Sequence, residues 1–213
     1  MSFTVIEAAQ RSPEWFHSRL GRLTGSVAAE MLAKVKSGES AGRRNLRVRL
    51  VLERVTGKSQ EKDFTSEAMQ VGIDREASAF AAYEALTGEV VHRSGFLAHD
   101  TLMAGCSLDG HLGNFEELLS IKCRQPAAHL DFLRAGKIPG HAMAQIQHEL
   151  WITGAAKHHY FSWNPDFPDR LQSSVVTVDR GEVGEYEAAA LKFLAEVDTD
   201  VVALETMTKG RAE

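Results

Sequence analysis

The sequence predicts an α/β fold in a single domain, with a mixed β-sheet flanked by helices. The chain has 213 residues, 44% of them hydrophobic and 25% charged, which is ordinary for one large folded domain. Apolar residues recur first at helical spacing and then in short runs separated by turn residues. Helical patterns return after these runs, so helices and strands are interleaved along the chain.

The first part of the chain carries helix signals. Helices are predicted over residues 13–20, 27–33, 42–56 (opening at Ser40 or Gly42) and 65–87. Ser12-Pro13-Glu14 combines a capping hydroxyl, a proline at the first helical position and an acid that complements the helix dipole. Thr24-Gly25-Ser26 predicts the cap of the second helix. Gly57 and Gly88 predict the ends of the third and fourth helices.

The hydrophobic period changes after Gly88. Short strands are predicted over residues 90–92, 95–97, 103–105 and 118–122. Two helices follow over 126–135 and 141–153, and two further strands over 158–163 and 174–178. A closing helix is predicted from Glu182 to about Met207, so the order of elements is that of a mixed α/β domain.

Charge is distributed unevenly, although the net charge is only −5. Basic residues concentrate in the first third of the chain, and acids concentrate beyond Asp179. The basic residues are Lys34, Lys36, Arg43, Arg44, Arg47, Arg49, Arg54, Lys58 and Lys62, with Arg19 and Arg22 just upstream. The asymmetry predicts a DNA-facing basic zone over residues 34–62. On charge alone, a solvated helix face is the simpler interpretation.

Composition excludes several classes of protein. No apolar run approaches the roughly 18 residues that a membrane span needs, so no membrane contact is expected. The start, MSFTVIEAAQ, lacks the basic and apolar regions of a secretory signal. Cys106 and Cys123 are too few for a disulfide framework or a four-cysteine metal site, and we expect two reduced thiols in a cytoplasmic enzyme.

One acid and one lysine stand close to each other in the predicted strands. Asp109 lies at a turn between two strands, and Lys122 projects from the second strand with Ser120 on the same face. A magnesium-dependent phosphodiesterase needs an acid that holds the metal and a lysine that stabilises the developing phosphorane charge. Alone the pattern is weak, because Asp-Gly is also a common hairpin turn.

Further motifs accompany this pair in a fixed order. They are Ser12-Pro13-Glu14-Trp15 through Arg19, Thr24-Gly25-Ser26, Gly72-x-x-x-Glu76, Tyr83, Thr87-Gly88, Gly95-Phe96 and Ala144-Gln145-Ile146-Gln147-His148-Glu149-Leu150-Trp151. With them the chain resembles the phage lambda exonuclease (YqaJ-like) family of recombination nucleases, of the PD-(D/E)xK superfamily, from about Arg11 to Pro165. The resemblance implies a restriction-endonuclease-like core, with a central mixed β-sheet flanked by helices, in one nuclease domain over residues 1–213.

The resemblance also implies roles for single residues. Asp109 corresponds to the metal-binding aspartate, Lys122 to the catalytic lysine and Glu76 to a helix glutamate that reaches the metal. Gln145 corresponds to the glutamine that positions the attacking water. The implied 5′-phosphate site consists of Arg19, Ser26 and Ser107, and a guanidinium with two hydroxyls suits phosphate.

Ser120 stands where the family has its second acid, so the resemblance counts this position in both the catalytic site and the metal site. It is also the main departure from the family. Serine is a neutral and poor magnesium ligand. Because magnesium commonly binds through one or two carboxylates, Asp109, Glu76 and the Ile121 carbonyl could still hold one ion with a DNA phosphate. Strand alternation places Glu117 on the opposite face unless a bulge intervenes.

Other candidate sites are weaker. His148-Glu149 begins a zinc protease motif, but Ile152 stands where the second histidine is needed. His158-His159 alternates faces on a strand, so both rings cannot bind one metal. Cys123 is expected in the core on the face opposite Lys122. The tryptophans Trp15, Trp151 and Trp163 are expected to fill the core.

The resemblance predicts a magnesium-dependent 5′→3′ exonuclease, with Mn²⁺ as a substitute metal. Its substrate is the end of linear double-stranded DNA, and its product is a 3′ single-stranded overhang for phage-type recombination. A homotrimer, a single-strand annealing protein as partner and action in the cytoplasm of a bacterial cell are also implied. A structure-specific or restriction-type endonuclease, and a DNA-binding module whose catalysis has lapsed through Ser120, are the alternatives.

Overall fold

The computed structural model of the chain describes residues 3–60 and 67–210. The helices are α1 (Pro13–Arg19), α2 (Ala28–Met31), α3 (Ala41–Thr56), α4 (Glu67–Thr87), α5 (Pro126–Ala135), α6 (Gly140–Thr153) and α7 (Gly184–Lys209). The strands are β1 (Phe3–Ile6), β2 (Leu23–Thr24), β3 (Phe96–His99), β4 (Ala104–Ser107), β5 (Gly110–Leu112), β6 (Glu117–Cys123), β7 (Lys157–Trp163) and β8 (Ser173–Asp179). The predicted α/β class is therefore confirmed.

The strands form two sheets of mixed direction, so the predicted central sheet has two parts. The first has the order β1-β3-β4-β2, and the second has the order β5-β6-β7-β8. Within them, β2 runs parallel to β4 and β6 parallel to β7, while the other pairs are antiparallel. The chain crosses from the first sheet to the second between Ser107 and Gly110, which places Asp109 at the junction.

The second sheet packs against helices on both faces because its residues alternate. Leu118 of β6 and Tyr160 of β7 belong to the larger core with the buried face of α6. Their neighbours Leu119 and Phe161 belong to a second core with Tyr83 of α4. Even-numbered residues of β6 therefore face α6, and this side carries Ser120 and Lys122.

The basic zone predicted over residues 34–62 is not wholly free to face DNA, because three of its arginines pair with acids of this chain. Helix α7, which carries the acidic end of the chain, packs along α3. Ion pairs join the two helices: Arg43–Glu196, Arg47–Asp200 and Arg54–Asp198. The acidic helix therefore neutralises arginines that the sequence suggested for DNA, and Lys62 lies outside the described residues.

Most predicted elements are present, and the differences have physical causes. The strand predicted over residues 90–92 is reduced to one bridge between His92 and His111, and Val90 is 65% exposed, so burial does not stabilise it. Strand β1 was not predicted, and it is a short edge strand antiparallel to β3. The predicted cap Thr65-Ser66 lies outside the described residues.

Ser12 and Ser40 cap their helices as predicted. The Ser12 hydroxyl accepts from the Trp15 backbone N–H, and the Ser40 hydroxyl accepts from that of Arg43. Thr24 makes no capping hydrogen bond. Its hydroxyl instead joins a polar cluster at the start of the chain, so the predicted cap role of Thr24 is wrong.

The two cysteines lie at different depths in the protein. Cys106 is buried and Cys123 is half-buried, and both are free thiols, as predicted. Burial raises the pKa of Cys123 to about 11, so this thiol stays protonated at neutral pH. Within residues 3–60 and 67–210, no helix has the length and apolar character to cross a membrane.

Candidate active site

Asp109 and Lys122 converge across the hairpin of β5 and β6. Asp109 Oδ2 accepts a hydrogen bond from the Ile121 backbone N–H at 2.8 Å and from Lys122 Nζ at 3.2 Å. The two charged side chains are 30% and 31% exposed, respectively. The backbone bond holds the carboxylate against β6, so the acid–lysine pair is fixed by the hairpin itself.

The electrostatic environment keeps Lys122 charged. Burial alone would lower the pKa of Lys122, but the negative charges of Asp109 and Glu149 outweigh it, and the pKa lies above its ordinary value. At neutral and alkaline pH the side chain is therefore an ammonium ion. In this form it can stabilise negative charge or orient a water molecule.

A cavity of about 480 Å³ opens in front of this pair. Residues with predicted roles on its wall are Glu76, Asp109, Ile121, Lys122 and Gln145. Basic side chains on the same wall are Arg11, Arg124 and His141. Two arginines that lie outside the predicted basic zone therefore line the cavity.

Glu76 approaches the same place from α4. Its side chain lines the main cavity, and together with Asp109 it also lines a neighbouring one. The carboxylate forms an ion pair of 3.0 Å with Arg93, whose guanidinium lies 4.2 Å from the centre of the Phe80 ring. Glu76 is thus held beside the cavity by a surface arginine.

The available donors fit magnesium. Asp109 and Glu76 offer carboxylate oxygens and Ile121 a backbone carbonyl, which are the hard donors that this ion prefers. In the described part of the chain, no cluster of three or more His, Cys, Asp and Glu side chains could enclose a metal. Two carboxylates nevertheless match the number that magnesium commonly takes from a protein, with water and substrate oxygens completing its octahedron.

Ser120 lies behind the cavity and does not line it. Its side chain is 2% exposed, and its Oγ is 3.4 Å from Nε2 of His158 on β7. Strands β6 and β7 pair in continuous register from Glu117 to Cys123, so no bulge turns Glu117 toward the site. Glu117 instead contacts His159 at 2.5 Å, and it does not replace the missing acid.

The residues predicted to bind a 5′-phosphate are brought together, and we name them with two neighbours the Arg19 cluster (Trp15, Arg19, Thr24, Ser26 and Ser107). Arg19 Nη2 donates to Ser26 Oγ at 3.3 Å and to Thr24 Oγ1 at 3.5 Å. Its guanidinium lies 4.2 Å from the centre of the Trp15 ring, and Trp15 Nε1 donates to Ser107 Oγ at 2.9 Å. One guanidinium and three hydroxyls therefore share a single polar region.

Gly25 connects the Arg19 cluster to the cavity. A Cβ atom at this position would lie 3.2 Å from Cγ of Gln145 and 3.6 Å from Oε1 of Glu149. A side chain here would force α6 away, and glycine lets the helix pack directly on the turn. Gly25, between Thr24 and Ser26 of the cluster, therefore packs directly against Gln145 on the cavity wall.

Sequence reasoning missed several residues of this region. Trp15 was expected to fill the core and Thr24 to cap a helix, yet both belong to the Arg19 cluster. Arg124 follows Lys122 at strand spacing, and that alternation was a usable signal. Glu149 follows Gln145 by one helical turn, which was a second usable signal.

A carboxylate–ammonium pair at the edge of a mixed sheet, beside an oxygen-lined cavity and an arginine–hydroxyl cluster, is the arrangement expected of a nuclease that hydrolyses phosphodiesters. Residues 14–156 match the model of the YqaJ-like viral recombinase domain. This match covers more than half of the chain, and the chain belongs to that family.

Solved structures agree with this assignment. An alkaline exonuclease (LHK-Exo) from Laribacter hongkongensis is 30% identical, with a TM-score of 0.82 over 93% of this chain and 99% of the other. The same enzyme in complex with dAMP matches equally well. A phage-related exonuclease from Haemophilus somnus is 11% identical, with a TM-score of 0.59 over 84% and 96% of the two chains, and shows the fold alone. A search of curated proteins found no match.

These findings confirm three of the predictions made from the sequence. The family is the predicted one. The fold class is α/β with mixed sheets flanked by helices, and it matches that of an alkaline exonuclease. The class of enzyme, a nuclease, is also the predicted one.

Proposed function

We propose that the protein is a magnesium-dependent exonuclease that degrades one strand of linear double-stranded DNA from its 5′ end and leaves a 3′ overhang. The observation that carries this proposal is the contact of Asp109 with Lys122 on the wall of a cavity shared with Glu76. Membership of the viral recombinase family and the likeness to an alkaline exonuclease support the same activity.

The chain's residues divide the work of phosphodiester hydrolysis. Asp109, Glu76 and the Ile121 carbonyl would hold Mg²⁺, which when bound polarises the scissile phosphate. The Lys122 ammonium stabilises negative charge that develops on the phosphate oxygens in the transition state. The Gln145 amide accepts a hydrogen bond from the attacking water and orients it.

The Arg19 cluster supports cleavage from the 5′ end. A guanidinium with nearby hydroxyls binds phosphate through charge-assisted hydrogen bonds. Because Gly25 packs against Gln145, a terminal phosphate held by Arg19, Ser26 and Ser107 would set the next linkage toward the cavity. Arg11 and Arg124 on the cavity rim provide further positive charge for the DNA backbone.

The activity is tested with matched DNA substrates. Linear duplexes with and without a 5′-phosphate and closed circles are incubated with Mg²⁺, and separately with Mn²⁺. We expect digestion of the linear duplexes, faster with the 5′-phosphate, and intact circles. Efficient cutting of circles would favour the endonuclease alternative, and binding without any cleavage would favour the lapsed DNA-binding module.

We also propose the assembly and setting that the family implies. The chain forms one domain, three copies enclose the duplex, and a single-strand annealing protein receives the overhang in the cytoplasm of a bacterial cell. Family membership supports these proposals. Sedimentation of the full chain tests the trimer. A chain that sediments as a monomer under the conditions in which it digests DNA would contradict it.

A further inference from the structure

Ser120 leaves the strand without the acid that the family has there, and a second carboxylate lies close behind it. Glu149 of α6 is 1% exposed, and its Oε2 is 2.7 Å from Nε2 of His158. The same ring nitrogen lies 3.4 Å from Oγ of Ser120. His158 Nε2 therefore links the Glu149 carboxylate to Ser120, the position that lacks the family's acid.

His158 is a hydrogen-bond donor to Glu149. The ring is fully buried, and its Nδ1 has no hydrogen-bond partner within the described residues. Because a buried N–H without an acceptor costs more than a bare ring nitrogen, the proton belongs on Nε2. Nε2–H then donates to Glu149, which acts as an acceptor.

Glu149 also contacts Gln145, which lines the cavity. Its Oε1 accepts a hydrogen bond of 2.8 Å from Nε2 of Gln145. Since an ionised carboxylate can only accept, this bond fixes the orientation of the Gln145 amide. The amide nitrogen faces Glu149, and the amide oxygen is left to accept a hydrogen bond on the cavity side.

Burial of a carboxylate is expensive unless the charge has a use or a strong partner. Here the partners are a neutral imidazole and a neutral amide. The Lys122 ammonium lies on the same face of β6 as Ser120 and lines the cavity that would hold the metal. The location of the charge, rather than stability, accounts for a carboxylate at this place.

We propose that Glu149 is a positioning residue that compensates for Ser120. It supplies from α6 the negative charge that β6 lacks, and it holds Gln145 with its amide oxygen toward the attacking water. The inference rests on the proposed function, since it concerns the same magnesium site. It assigns the role of the family's missing strand acid to a different element of this chain.

The test is magnesium binding to the full chain without DNA, measured by titration calorimetry. Because a negative charge close to the site strengthens its attraction for a divalent cation, we expect Glu149→Gln to raise the Mg²⁺ dissociation constant at least tenfold. Glu53→Gln is the matched control, because Glu53 is also buried and accepts two hydrogen bonds, from the Gly21 and Gln60 backbone N–H groups. We expect its Mg²⁺ affinity to stay within twofold of the wild type.

Ser120→Glu provides a rescue that a purely structural role would not allow. In the Glu149→Gln background we expect it to tighten Mg²⁺ binding at least fivefold, and in the wild-type background less than twofold. If Glu149→Gln does not fold, the single variant Ser120→Glu still tests the inference. A tenfold tightening of its Mg²⁺ binding relative to the wild type would overturn the inference.

The two proposals fail in different ways. Wild-type protein that cleaves DNA with Mg²⁺, together with a Glu149→Gln variant of unchanged Mg²⁺ affinity, would overturn the role of Glu149 alone. Wild-type protein that neither binds Mg²⁺ nor cleaves DNA would overturn the proposed function itself.

Discussion

The Asp109–Lys122 pair and the α3–α7 interface both bring opposite charges within hydrogen-bonding distance, but they differ in what surrounds the charges. Asp109 and Lys122 line a cavity, and both remain about one-third exposed. At the interface, three arginines of α3 each pair with an acid of α7, as in the Arg47–Asp200 pair. One region keeps its charges available for a ligand, and the other uses them to join two helices.

This difference shows why charge density along a sequence is a poor guide to a DNA-binding surface. The predicted basic zone carries many cations, and several of them are neutralised by acids from the end of the chain. The cations that line the cavity are dispersed in sequence, as Arg11, Lys122 and Arg124 illustrate. Tertiary structure, rather than composition, decides which charges meet a phosphate.

The largest expected effect comes from removing the catalytic pair. Asp109→Ala and Lys122→Ala should each lower the rate of duplex digestion in Mg²⁺ by about a thousandfold, since loss of one group that stabilises transition-state charge costs about 10²- to 10³-fold. Thermal unfolding should change little, because both side chains are partly exposed. A single-turnover digestion assay with a melting curve measures both quantities.

The control for this pair is Lys157→Ala. Lys157 forms an exposed ion pair of 3.6 Å with Glu117 on the same sheet, away from the cavity wall. Its removal should leave digestion within twofold of the wild type. Nuclease activity that survives Asp109→Ala would show that the site lies elsewhere.

A smaller effect is expected at the Arg19 cluster. Arg19→Ala should reduce the preference for a 5′-phosphorylated end by about 10- to 100-fold, because hydrogen bonds to a charged group contribute about 1.5–3 kcal/mol. Arg19→Lys keeps the charge but loses the planar fork, so it should recover only part of the preference. Rates on phosphorylated and dephosphorylated duplexes give the ratio, and an unchanged ratio would contradict the phosphate role.

The catalytic pair was accessible from sequence because its geometry is local. Asp109 directly precedes β5 and Lys122 lies on β6, the other strand of the same hairpin, where strand alternation fixes which side chains share a face. Most helices were also predictable, since capping residues such as Ser12 and closing glycines such as Gly57 act within one turn. Glu76 and Gln145 came from the family resemblance rather than from such local rules.

The parts that escaped prediction depend on distant contacts. The partner of Arg47 is Asp200, 153 residues further along, and no local pattern indicates that pairing. Strand β1 pairs with β3, which is also far away in sequence, as the pairing of Phe3 with His99 shows. Glu149 was visible one turn after Gln145, but its link to Ser120 passes through His158 of another strand. Tertiary packing supplied the information in each case.

The salt dependence of DNA binding tests whether Arg124 on the cavity wall contacts a DNA phosphate. It lines the cavity, and its guanidinium contacts the Tyr160 hydroxyl. Arg124→Ala should reduce the slope of log affinity against log salt by about one, as expected for the loss of one phosphate contact. Fluorescence anisotropy in Ca²⁺, which blocks cleavage without removing a divalent ion, gives the slope. A slope equal to that of the wild type would remove Arg124 from the DNA interface.

The smallest effect is expected at the α3–α7 interface, where Arg47 pairs with both Asp200 and Glu39. Arg47→Ala should lower the free energy of unfolding by about 0.5–1 kcal/mol, because partly exposed ion pairs contribute little. The loss should shrink in high salt, which screens such pairs. Arg44→Ala, an exposed arginine of the same helix, is the control and should change neither quantity measurably. The salt slope of DNA binding should stay that of the wild type in the Arg47 variant, since its charge is already neutralised by acids of this chain. A reduced salt slope would instead indicate that α3 contacts DNA. The cavity and the α3–α7 interface would then not differ in whether their charges are available to DNA.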